Sequence, residues 1–152
     1  MSSSRELLDM LNKGVARGLQ SAILYKWQQF SVKGIEGAAA EGIFKRMAAE
    51  SAKNVEVLAE RLVYLAGVLP MTFDRVHVEY GLDDMLKEDI TNLEETIELL
   101  KQTIQLAKSE GDYGTRRILE DVLIVEERHL DWVSKLLVGM TKPFTQVKLD
   151  SG

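Results

Sequence analysis

Cysteine is absent from this 152-residue chain, and proline occurs only twice. Without thiols there is no disulfide, thiolate zinc site, iron–sulfur cluster or cysteine nucleophile. With so few prolines, long helices can run unbroken. No run of about 18 apolar residues offers a membrane span. The opening MSSSRELLDML lacks both the basic segment and the uninterrupted apolar segment of a signal peptide, so a cytoplasmic chain without a membrane partner is expected. A basic surplus is missing too: the net charge is −5, with 28% charged residues. Arg5 and Lys13 are offset by Glu6 and Asp9, and Lys142 and Lys148 stand beside Asp150. Such ends form no basic arm, so no nucleic-acid partner is expected. What the chain has is apolar residues, 45% of the total, enough for one domain over 1–152 with a substantial core.

Those apolar residues recur with helical spacing. The periodicity predicts an all-α chain with helices over about 3–32, 38–66, 82–108 and 113–138, followed by a tail over 139–152. The inward stripes are Leu8, Leu11, Val15, Gly18, Ala22 and Tyr25; then Phe44, Met47, Ser51, Asn54, Leu58 and Leu65. The third helix contributes Ile90, Leu93, Ile97, Leu100 and Ile104, and the fourth Leu119, Val122, Glu126, His129, Val133 and Leu136. Four such seams make a bundle. KGIEG (33–37) and EGDY (110–113) read as short turns joining antiparallel neighbours. The segment 67–81, GVLPMTFDRVHVEYG, is too long for a turn, contains Pro70, and alternates like a strand at Val76, Val78 and Tyr80. Pro143 is expected to end the fourth helix or to set off a short C-terminal extension.

VEERHLDW (125–132) carries Glu126 and His129 three residues apart, which places a carboxylate and an imidazole on one helix face. Two hairpins joined by one long crossover form the ferritin-like arrangement. In its di-iron members two helices each give a Glu and the other two each give a Glu-x-x-His pair. Further features point the same way: Tyr25, ERLVYLAGVLP closing the second helix, GLDDMLKEDI opening the third, GDY before the fourth and EERHLDW within it. Over nearly its whole length the chain resembles the bacterioferritins. The resemblance implies a hollow multi-subunit cage, a ferroxidase di-iron site in each bundle, and haem between paired subunits.

Carried over position by position, that resemblance places the first helix's glutamate on Gly18, the second helix's Glu-x-x-His on Ser51 and Asn54, and the third helix's glutamate on Leu93. Only Glu126 and His129 match, and the haem methionine falls on Ala52. A one-residue slip toward Glu50 or Glu94 would turn the side chains by about 100° and pull the apolar stripe outward, so both glutamates are expected to stay off the seam. Glu126 and His129 are therefore the metal-site candidates, with Tyr25, Ser51 and Asn54 as pocket neighbours and no catalytic residue assigned. One carboxylate and one imidazole do not offset the charge of two iron ions. A buried polar cluster is the favoured reading: Glu126 and His129 bond to Asn54, Ser51 or Tyr25, and Glu126 either has a raised pKa or ionises beside a protonated His129. A single loosely held divalent ion, iron included, is the competitor. Gly18 should leave space for a water or a neighbouring side chain, and haem is not expected.

Elsewhere, His77 is expected to be exposed or between subunits, Met47 in the core, Trp27 and Trp132 at helix or subunit contacts, and Glu94, Glu95 and Glu98 on a solvated face. The leading functional expectation is a bacterioferritin-like subunit of a homo-oligomeric cage for iron storage, weak as a ferroxidase alone or mixed with a catalytic ferritin subunit. The alternatives are a metalloenzyme using Glu126 and His129 with atypical ligands, and a non-iron assembly or protective protein of the miniferritin kind.

Overall fold

The computed structural model describes residues 2–32 and 34–141. Within them lie four helices, α1 (Arg5–Ser31), α2 (Gly34–Tyr64), α3 (Leu82–Ser109) and α4 (Tyr113–Thr141). Ser4 caps α1 by accepting the Leu7 N–H at 3.1 Å, while its own N–H and hydroxyl reach the Glu110 carboxylate at the end of α3. The Ser4 cap satisfies an N–H that the helix start would otherwise leave unpaired.

Two corrections concern the connections. α2 begins at Gly34, four residues before the expected start at 38, so KGIEG is largely helix rather than turn. Gly34 takes a φ of +80° there, a left-handed value that glycine adopts without a side-chain clash. Val76, Val78 and Tyr80 form no strand, and among the described residues none is present. A lone extended segment has no neighbour to bond its edges, so alternation alone cannot make it a sheet. The expected break at Pro143 and the extension beyond it fall outside the described residues, and α4 runs on to Thr141.

α1 packs chiefly on α2, and α3 on α4, with lighter α1–α3 and α2–α4 contacts. The crossover between Tyr64 and Leu82 runs along α1: Asn12 Nδ2 donates to the Val68 carbonyl at 2.6 Å, and Gln20 Nε2 to the Arg75 carbonyl at 3.4 Å. At 28 residues α3 is roughly 42 Å long. An extended connection of this length covers that distance and returns the chain to the top, leaving α2 and α3 parallel. Asp112 joins the other end: it accepts the Thr115 N–H (3.0 Å) and hydroxyl (2.6 Å), and the Arg61 guanidinium of α2 at 3.0 Å.

The core has two apolar halves. The lower half gathers Leu7, Leu11 and Val15 with Leu58, Leu62, Leu100, Ile104, Leu119 and Val122. The upper half gathers Tyr25, Phe44, Met47, Met85, Leu86, Leu93 and Val133. Between them Ser51, Asn54 and Glu126 are buried polar side chains.

Candidate metal site

Glu126 and His129 share the inner face of α4, as their spacing predicts, and both are buried. Facing Glu126, Asn54 of α2 donates through Nδ2 at 3.5 Å, a long and weak bond. Burial raises the Glu126 pKa from the usual carboxylate range to about 7, against the Asn54 bond and the Arg17 charge, which pull it down. Of the two expectations for Glu126, the raised pKa holds and pairing with a protonated imidazole does not.

His129 bonds outside the expected set. Its Nε2 lies 3.1 Å from Glu50 Oε1. Tyr25 meets it only as a ring edge, with centroids 6.2 Å apart at 86°, and Trp132 lies against it at 5.5 Å. Ser51 Oγ is buried without a hydrogen-bond partner. Glu50 stays off the seam as expected, but its side chain still reaches the site. Phe44, Met47 and Leu58 are buried as predicted, yet the Glu50 side chain is only 22% exposed. Its backbone position is beside the seam, and the long side chain reaches around the helix edge to His129.

Glu50 is the hub of a charged cluster. Arg128 donates to it at 2.6 Å and Arg46 at 3.0 Å, and both guanidiniums lie over the Trp132 ring, at 5.4 and 4.7 Å. Burial would raise the Glu50 pKa, but the bonds from Arg128, Arg46 and His129 outweigh it and hold the carboxyl below its ordinary value. Burial lowers the His129 pKa against the pull of Glu50. An ionised Glu50 beside a neutral imidazole places the ring proton on Nε2, leaving Nδ1 as a bare acceptor that is buried without a partner.

The positions opposite are occupied otherwise. Leu93 is buried in the upper apolar half. A Cβ at Gly18 would lie 2.6 Å from Val55 Cγ2, so Val55 fills the space the missing side chain leaves. Among the described residues no group of three or more His, Asp or Glu side chains is placed to hold a metal ion. A Glu126 carboxyl that holds its proton to about pH 7, an ionised Glu50 already engaged by two guanidiniums, one imidazole nitrogen, an amide and a hydroxyl do not fit a two-iron centre, which needs several ionised oxygens free to bind.

A second buried polar pair lies above. Gln28 of α1 and Asp89 of α3 are both fully buried, with Gln28 Nε2 2.8 Å from Asp89 Oδ1. Burial raises the Asp89 pKa well above the carboxylate range. Asp89 stands four residues before Leu93 and Gln28 three after Tyr25, both helical neighbours on the core face, so helix spacing held the signal for this pair.

A family model described as a ferritin-like domain matches residues 8–142. The chain belongs to the ferritin-like family. A bacterioferritin of Desulfovibrio desulfuricans is 26% identical over 143 residues, covering 90% of this chain and 79% of that protein. The crystal structure of a ferritin-like, diiron-carboxylate protein from Bacillus anthracis str. Ames superposes with a TM-score of 0.84 at 23% identity, over 89% of this chain and 99% of that one. This second likeness is one of fold, and it agrees with the ferritin-like bundle expected from the seams. No described helix is long and apolar enough to cross a membrane. Trp27 is half-exposed against Phe30, and His77 is exposed beside Glu79 at 3.3 Å. Glu94, Glu95 and Glu98 are exposed as expected, although Glu95 also pairs with Arg17 at 3.3 Å.

Proposed function

We propose that this chain is a bacterioferritin-like shell subunit for iron storage or homeostasis, with little or no ferroxidase activity of its own. The observation that carries the reading is the set of groups around Glu126 and His129: Gly18 closed by Val55, Ser51, Asn54 and Leu93. In this reading the site is the remnant of a di-iron centre. Its remaining carboxylate is protonated or half-protonated near neutral pH, and the approach to His129 is flanked by the Arg46 and Arg128 guanidiniums. Desolvating a cation beside those charges is unfavourable. Family membership and the bacterioferritin relative support the storage role and the assembly into a homo-oligomeric shell. Within such a shell, oxidation of iron falls to a catalytic partner subunit or to the mineral surface. Ala52 carries no sulfur to ligate haem, so haem is not part of the proposal.

Native mass measurement together with aerobic ferrous oxidation tests this. The expected result is a large hollow oligomer that oxidises added iron slowly. A monomer or simple dimer would remove the shell, and rapid oxidation of two iron ions per chain, abolished by E126A, would remove the remnant-site claim. A haem absorption band in protein produced with haem available would overturn the haem reading.

One observation favours a second reading. Glu50 stands beside His129, so a single divalent ion held by Glu50, Glu126 and His129 would make this a metalloprotein with atypical ligands. That reading requires Glu50 to leave Arg46 and Arg128. Stoichiometric binding of one Mn(II) or Zn(II) per chain, lost in E50Q and E126Q alike, would establish it over the first.

A further inference from the structure

Asp89 and Gln28 tie α1 to α3 in the upper apolar half. Their one observed bond, Gln28 Nε2 to Asp89 Oδ1 at 2.8 Å, uses half of each planar group. The other half is the anomaly: Gln28 Oε1 and Asp89 Oδ2 are both buried and neither has a hydrogen-bond partner. Two orphaned acceptors on one bonded pair are costly in an interior made of Tyr25, Met85, Leu86 and Leu93. An ionised aspartate has only acceptors, and so has an amide oxygen; a protonated carboxyl supplies the missing donor.

We propose that Asp89 is carried as a neutral carboxylic acid whose Oδ2–H donates to Gln28 Oε1, completing an acid–amide pair with two hydrogen bonds that clamps α1 to α3 and opens in alkaline solution. The surroundings agree. Burial is the largest influence on Asp89 and opposes its ionisation, the Gln28 bond pulls the other way, and Glu88, its neighbour on α3, opposes ionisation further. From α1 comes Tyr25, itself kept protonated by burial. From the crossover come Glu79 and His77, which act on Glu88. α2 presents apolar Phe44 and Met47 in this half, and α4 places His129 at the edge of the Tyr25 ring. Among these groups none provides an ion pair for an Asp89 carboxylate.

A folded-state pKa raised above the unfolded value makes stability fall as pH rises through that interval. Loss of the Asp89 proton to bulk base leaves two carboxylate oxygens facing one amide donor, and the clamp loosens where the crossover enters α3.

Infrared spectroscopy tests the proton directly. E126Q removes the other buried acid among the described residues, so its spectrum at neutral pH should keep a protonated-carboxyl band that disappears in the E126Q/D89N double variant. Absence of that band in E126Q overturns the proposal. Thermal melts give the second readout. Asn at 89 supplies a donor and an acceptor without a charge, so D89N should match the wild-type Tm at pH 7 and lose part of its alkaline decline. D89L, which leaves the Gln28 amide unpaired, should lower Tm by roughly 5 °C. If D89N melts as low as D89L at pH 7 while the infrared band is missing, the aspartate is ionised and the clamp is an ion–dipole contact instead.

Discussion

The two halves of the bundle core are built on different chemistry. The lower half is mainly apolar: Leu7, Leu11, Leu58, Leu62, Leu100, Ile104 and Leu119 fill it, the buried Thr103 hydroxyl is satisfied within α3 by the Leu99 carbonyl, and the charged groups gather at the bundle end in the Ser4–Glu110 and Arg61–Asp112–Thr115 contacts. The buried ionisable side chains, Tyr25, Asp89, Glu126 and His129, lie in the upper half or in the layer that separates the halves. Both halves use the same seam spacing, so the backbone does not dictate the difference. The difference lies in the polar side chains: burial raises the pKa of Glu126 and Asp89 and lowers that of His129, so the upper half and the dividing layer carry a cost of desolvation that the lower half does not.

The largest effect should come from breaking the lower half. Leu62 is fully buried there, and Leu62→Ala should cost about 3 kcal/mol through lost transfer energy and an unfilled cavity. Urea unfolding at any pH between 5 and 8 should show that loss unchanged. A cost that varied strongly with pH would mean the halves are coupled through ionisation.

Glu126→Gln should show the opposite pattern. The folded-state pKa is raised from 4.5 to about 7, so the contribution of Glu126 is intact below about pH 4.5 and is lost as pH climbs to 7. The shift corresponds to a penalty of about 3 kcal/mol above pH 7, at order-of-magnitude precision. The glutamine variant should be more stable than wild type by up to that amount at pH 8 and nearly equal to it at pH 4. A gain of the same size at both pH values would show that packing, and not the charge, is responsible.

Asp112 responds in the reverse direction and by less. Burial raises its pKa, but the Thr115 bonds and Arg61 outweigh burial and lower it, so its contribution is present above the ordinary aspartate range and is lost as pH falls through the lowered value. Asp112→Ala should cost about 1–2 kcal/mol at neutral pH, as loss of a helix cap and its guanidinium partner. The difference from wild type should shrink in acid, which denaturation at pH 7 and pH 2.5 would reveal.

Much of this division was legible in the sequence. The stripes placed Leu11, Phe44, Met47, Leu93, Leu119 and Val133 in the core, and the single long connection marked the topology. Glu126 and His129 were legible as an inward pair because three-residue spacing fixes their common face. Glu50 was not. Seam assignment locates the Cα, whereas a glutamate side chain spans several ångströms and can return to a neighbour from the helix edge. Asp89 and Gln28 were missed for another reason: helix spacing puts both on the core face, but polar residues near a stripe are usually solvated, and it takes the packing of α1 on α3 to show them paired and closed off from water.

The smallest expected effect bears on how α2 ends below the lower half. The Gly67 N–H bonds to the Leu62 carbonyl at 2.8 Å and the Ala66 N–H to the Val63 carbonyl at 2.9 Å, the pattern in which the intervening residue must turn left-handed. Here that residue is Ala66, at φ +65°, while Gly67 follows it. An alanine in this region costs roughly 1 kcal/mol relative to glycine, because its Cβ crowds the following carbonyl. Against that, glycine gives the unfolded chain more freedom to lose, an opposing effect of about 0.4–1 kcal/mol. The balance for Ala66→Gly is a gain of about 0.5 kcal/mol or less, independent of pH because the substitution neither adds nor removes an ionisable group. Equilibrium unfolding should show that gain at pH 5 and pH 8 alike. A loss would mean that the Ala66 methyl contributes packing worth more than its strain, and the lower half would then extend past the helix into the start of the crossover.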